Sequence, residues 1–148
     1  MALDKKRIII IVLGILSIII VFFAPYGYHI DIGPGLDNLM AIVWNISEYF
    51  GFQILESLEY VPYYFFRIVV LYEIFRFFQE KISRKRLVLM GIICELIPLL
   101  VSIPGVIFLN SEGENYIPIM ISIPTLLIFD IILVQFFSSI KIEDGIEN

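Results

Sequence analysis

The chain has 148 residues, 59% of them hydrophobic, and a formal net charge of −5. That apolar share exceeds the roughly one half usual for soluble domains, and the mean hydropathy is +0.93. One cysteine and one histidine exclude an internal disulfide, a CxxC redox pair, a thiolate metal site and bis-histidine haem ligation within one chain.

Lys5, Lys6 and Arg7 stand directly before an apolar run at 8–24, and no lysine or arginine follows until Arg67. The run is longer than a signal-peptide core, and Ala24-Pro25 makes a poor cleavage site, so it reads as a retained first span. Residues 25–38 carry Gly33-Pro34-Gly35 and read as a turn-rich loop. In 39–58, flanked by Asn38, the polar residues Asn45, Glu48, Gln53 and Glu56 fall with Glu59 on one helical arc. Trp44 suits an interfacial depth, so this stretch is expected to be an amphipathic helix on the outer surface.

Three further apolar runs, at 60–79, 87–109 and 117–140, are long enough to cross a hydrocarbon core of about 30 Å. Lys81, Arg84, Lys85 and Arg86 separate the first two, and Lys141 follows the last. Placing every basic cluster inside obeys the positive-inside rule. The expected fold is therefore an all-α integral membrane protein, a single domain over 1–148. It has four transmembrane helices, an extra amphipathic helix between the first and second, and both termini cytoplasmic. The location is a cell membrane, multi-pass.

An internal echo links Ile97-Pro98 and Ser102-Ile103-Pro104 with Ile117-Pro118 and Ser122-Ile123-Pro124. Within helices each of Pro98, Pro104, Pro118 and Pro124 would free a carbonyl and permit a kink. The plain reading is a pair of matched bends. The sharper one is broken helices whose freed carbonyls line a cation or substrate site.

Arg67, Glu73, Arg76, Glu95 and Asp130 fall within these runs. Each costs about 2.5–3.5 kcal/mol near a helix centre on insertion scales. Counted inward from the basic edges at 1.5 Å per residue, Arg67 lies about 18 Å deep and Asp130 about 16 Å, against about 12 Å for Glu95 and 9 Å for Glu73. Arg67 is thus expected to pair with Asp130, and Glu73 to meet Glu95 beside Arg76. These residues either fix helix packing as ion pairs or form a proton or cation path.

On the outer side Asp31, Asp37, Glu48, Glu56, Glu59, Glu112 and Glu114 stand without basic residues, a surface that would concentrate cations. His29, Asp31 and Asp37 lack a metal-site spacing, and His29 alone cannot support a serine triad among apolar serines. No HExxH, phosphate-binding glycine loop or di-metal glutamate pattern is present. The short juxtamembrane basic clusters do not suggest nucleic-acid binding. The residues therefore point to a small non-enzymatic membrane subunit or assembly module without a cofactor. It would be embedded in the lipid bilayer, as a homo-oligomer or beside other membrane subunits. The alternative is a proton- or cation-conducting channel or carrier that uses the buried carboxylates.

Overall fold

The computed structural model of the chain describes residues 5–32, 37–55, 61–111 and 117–146. Four helices and five strands alternate in two blocks. Helix α1 (Lys5–Phe23) leads into strands β1 (Gly27–Ile32), β2 (Asn38–Met40), β3 (Trp44–Ser47) and β4 (Gly51–Ile54). Helices α2 (Val61–Phe78) and α3 (Arg84–Ser111) follow, then β5 (Ile117–Ser122) and α4 (Thr125–Ile146). The strands form one antiparallel sheet in the order β4-β3-β2-β1-β5, so β5, from the far end of the sequence, closes the edge beside β1.

This overturns the all-α expectation. The proposed outer helix at 39–58 is instead the meander β2–β3–β4. The loop before it contains β1, and the proposed span at 117–140 spends its first residues on β5. Local chemistry favours strands at each place. Tyr28, Ile30 and Ile32 alternate with His29 and Asp31, and Ile117, Ile119 and Ile121 alternate with Pro118, Met120 and Ser122, a period of two rather than 3.6. The β3–β4 connection is a tight turn at Glu48–Phe50. There the Ser47 hydroxyl accepts from the Tyr49 and Phe50 amides, and Gly51 takes a left-handed φ of 68° that suits glycine.

A membrane bundle of four spans is likewise not supported. Among the described residues one helix is long and apolar enough to cross a bilayer, Arg84–Pro104 within α3, at a mean hydropathy of 2.3. The apolar parts of α1 and α4, Arg7–Phe23 and Thr125–Phe137, are shorter, and α2 carries Arg67, Glu73 and Arg76. A multi-pass topology therefore loses its basis. The proline echo does not survive as matched kinks either. Pro98 and Pro104 lie inside α3, but Pro118 is in β5 and Pro124 precedes α4. An edge strand tolerates proline, because one of its sides needs no ladder hydrogen bond. Gly33-Pro34-Gly35, Glu56, Glu59, Glu112 and Glu114 lie outside the described residues.

Helix ends and sheet are joined by a single core. Val21 of α1, Tyr64, Val70 and Ile74 of α2, Cys94 of α3 and Leu126, Phe129 and Leu133 of α4 pack in one cluster with Tyr26, Met40, Ile42 and Met120 from the sheet side. At the opposite end Phe77 and Phe78 of α2 stack on Phe137 of α4, with ring centroids 5.2 and 6.0 Å apart. The α2–α3 turn closes this end. Lys81 N–H donates to the Arg76 carbonyl and Glu80 N–H to that of Phe77, the two bonds of a Schellman C-cap. The Ser83 hydroxyl then accepts from Arg86 N–H, an N-cap for α3.

The β1–β5 pairing leaves no room at Gly27, where an added Cβ would stand 2.6 Å from Met120 Sδ and 3.3 Å from the Ile121 carbonyl oxygen. Gly27→Ala is expected to destabilise by about 1–3 kcal/mol, the usual cost of overpacking. A thermal melt of the purified protein against wild type reads this directly; an unchanged midpoint would show that Met120 yields freely.

Candidate functional site

Where helices meet sheet, the core contains charge. Arg67 is 1% exposed, Asp130 0% and Glu95 8%. Arg67 reaches this junction from the first half of α2, Glu95 from the middle of α3 and Asp130 from the second turn of α4.

Glu95 is the most connected of the three. Its Oε1 accepts from the Leu126 and Leu127 amides at 3.2 and 3.4 Å, and its Oε2 from the Ser122 hydroxyl at 2.6 Å. Leu126 and Leu127 belong to the first turn of α4, whose amides have no partner within their own helix. Glu95 thus caps α4 from α3, and its charge sits favourably at the positive end of the helix dipole. Arg67 lies opposite, with Nη2 at 3.9 Å from Glu95 Oε1. Its Nη1 donates to the Ala24 carbonyl at 2.8 Å, and its Nη2 to the Thr125 hydroxyl. That hydroxyl in turn donates to the Pro25 carbonyl at 2.9 Å. The guanidinium also faces the Tyr26 ring, 6.0 Å from its centroid, a cation–π contact. One arginine therefore ties the end of α1 and the approach to β1 to the start of α4.

Asp130 is different. It is close enough to interact electrostatically with both Glu95 and Arg67, yet neither carboxylate oxygen has a hydrogen-bond partner. Its space depends on Gly91, where an added Cβ would come within 2.8 Å of Asp130 Oδ2. The Arg67 Nε is likewise buried without a partner.

A second charged group closes the turn end. Glu73, 5% exposed, accepts from Arg86 of α3 at 2.9 Å and from Arg76 of its own helix at 3.3 Å. The two arginines are partly in contact with solvent, and Arg76 also lies over Tyr72.

The pairings differ from those expected by depth. Arg67 is bonded toward Glu95 rather than matched to Asp130, because Arg67 and Glu95 stand equally far along α2 and α3 from the turn that joins them. Glu73 meets Arg86 rather than Glu95. Pro98 and Pro104 lie on α3 beyond Glu95, and Pro118 and Pro124 are not helix kinks, so the four prolines form no common site. Sequence reasoning missed Ser122, Thr125 and Arg86 as partners. A signal existed for Arg86: in a helical hairpin centred near residue 80, positions 73 and 86 stand opposite. Ser122 and Thr125 had no such signal while 117–124 was read as helix. His29 lies on β1 opposite Asn38 and Met120, and no group of three metal-ligating side chains gathers among the described residues.

No protein-family model, curated protein or solved structure matches the chain, so the reading rests on this geometry.

Losing one partner of a buried pair leaves the other charge uncompensated, which costs about 3–5 kcal/mol. Arg67→Met is therefore expected to lower stability by about that amount. Adding Glu95→Gln should restore part of it, since a glutamine oxygen can still cap α4. A double-mutant cycle of thermal or denaturant melts measures the coupling; strict additivity of the two changes would show the pair to be uncoupled.

Proposed function

We propose that the protein is a small, non-enzymatic, membrane-embedded module whose buried charges lock helix ends to a sheet. The observation that carries this is the occupation of those charges. Glu95 and Arg67 are spent on the ends of α1 and α4, and Glu73 on the α2–α3 turn. The membrane part of the reading is supported by side chains that face outward. Ile11, Val12 and Ile15 on α1, with Leu89, Leu96 and Leu100 on α3, are each more than two-fifths exposed. Phe65 and Tyr72 on α2 and Ile128 and Ile132 on α4 face outward as well, more than the singly scattered apolar residues usual on a soluble surface.

Arg67 and Glu73 of α2 both find partners on other elements of the same molecule, with Arg67 Nε and Glu73 Oε2 left buried without one. Assembly with other subunits, if it occurs, uses the outward apolar surface.

A second reading has one specific observation in its favour. Asp130 is fully buried, unpartnered and set in space kept by Gly91, and unpaired acids inside membrane proteins commonly carry protons or cations. Proteoliposomes under a pH or potassium gradient separate the two readings. The module reading expects no flux from wild type, and for Asp130→Asn normal yield, folding and flotation with vesicles, because no hydrogen bond is lost. Flux that is present in wild type and abolished in a well-folded Asp130→Asn protein would overturn it in favour of a conductor.

A further inference from the structure

Directly paired residues of an antiparallel sheet share a face. Ile121 pairs with Tyr28, Tyr28 with Leu39, Leu39 with Ile46 and Ile46 with Phe52. These pairs draw one apolar row across all five strands. Two residues along, Trp44 pairs with Ile54 on the same side. This side faces away from the helices: Phe52 is 61% exposed and Ile54 65%. The other side holds Met40, Met120, Asn45 and Ser47, all buried. The sheet is thus inverted at β3, with asparagine and serine inward and isoleucine outward. A sheet with one face in water reads the opposite way.

The apolar row continues onto the helices. The Trp44 indole N–H donates to the Phe23 carbonyl at 2.9 Å, and Val43 N–H to that of Phe22. Strand β3 is thereby docked on the last turn of α1, whose Ile15, Ile19 and Phe23 also point outward. On the other flank β5 packs along α3, and the outer residues of α3 remain apolar past Glu95 through Leu100, Ile103 and Ile107. Depth is limited from the opposite direction. Among the described residues strand β4 is an edge of the sheet, and the turn carries exposed Glu48. Neither can enter the hydrocarbon core, whereas tryptophan and tyrosine favour the headgroup layer.

We propose that the outer face of the sheet is a lipid-contact surface, lying in the interfacial layer of one bilayer leaflet and continuous with the apolar faces of α1 and α3. This rests on the membrane-embedded reading. Its occupant is the leaflet itself, not a second protein.

Trp44 is the chain's only tryptophan and stands within this face, so its emission reports the contact without labelling. The protein is reconstituted into phosphatidylcholine–phosphatidylglycerol vesicles whose acyl chains carry nitroxide at a shallow or a deep position, and flotation is scored in the same samples. A second protein, Trp44→Phe with Phe50→Trp, moves the reporter to the β3–β4 turn; if it does not fold, Trp44 alone decides. The expected result is that floated protein loses most of its emission to the shallow label and less to the deep one, and is shielded from aqueous iodide. Floated protein quenched by iodide but by neither lipid would overturn the proposal by placing the face in water. Floated protein shielded from every quencher would overturn it by showing a protein cover. In both cases the membrane reading stands. Failure to float would overturn that reading and this proposal together.

Discussion

Glu95 against the first turn of α4 is the contact on which the rest of the architecture depends. A helix that starts inside a protein must find acceptors for its first amides, and water is not available to supply them. Strand β5 delivers the chain to Thr125 with only Ile123 and Pro124 between sheet and helix, and neither carries a side-chain acceptor that could cap it. The acceptor therefore comes from α3, and a charged acceptor is worth more than a neutral one, about 1.5–3 kcal/mol against 0.5–1.5. Burying that carboxylate is costly unless a cation answers it. Arg67 answers it, and its remaining donors reach Ala24 and Thr125. Each group thus meets a need created by its neighbour, and together they fix where α1 ends, where β1 begins and how α4 is aimed.

The same junction explains how two sequence blocks separated by α2 and α3 build one sheet. Pairing β5 with β1 joins residues some ninety positions apart, an entropic cost that a lone six-residue ladder would offset poorly. The Arg67–Thr125–Pro25 chain of hydrogen bonds sits at the entrance to that ladder and holds its two strands at their helical ends. Gly27, two residues after Pro25, lets Met120 close over β1. Sheet register and helix capping are therefore one problem with one solution, and the absence of a Cβ at Gly27 is part of it.

Helices α1 and α3 were legible in the sequence because basic residues bound long apolar runs, and α2 because its run begins and ends near Tyr60 and Gln79. The charged residues were legible as a group, since each is conspicuous in apolar surroundings. The strands were hidden by their inversion at β3 and by isoleucine. Asn45 and Ser47 look like the wet face of an amphipathic helix, and only pairing reveals that they point inward. In β5 the isoleucines extend the apolar run of α4 without a break, so composition gave no boundary at Thr125. Ion-pair partners then slipped, because depths were counted from where each apolar run ends, and α3 begins at Arg84, ahead of its apolar run at 87. Counted from the helix ends instead, Arg67 and Glu95 stand equally far from the α2–α3 turn, and at that distance the two side chains meet.

Asp130 breaks the economy seen at the other buried charges. Glu95, Arg67 and Glu73 each hold an element end, but both oxygens of Asp130 hold nothing. An apolar residue of similar size would cost less at this position, because an acid without partners forfeits its hydration for no return. Gly91 makes the arrangement more specific. Any side chain there would press on Asp130 Oδ2 or on Leu127, so a glycine, itself unfavourable inside a helix by about 1 kcal/mol, is retained where it leaves that carboxyl room. Two locally unfavourable residues in contact are better understood as one feature than as two accidents. That feature lies beside the Glu95–Arg67 lock without taking part in its hydrogen bonds, so the chemistry of Asp130 can vary while the lock holds.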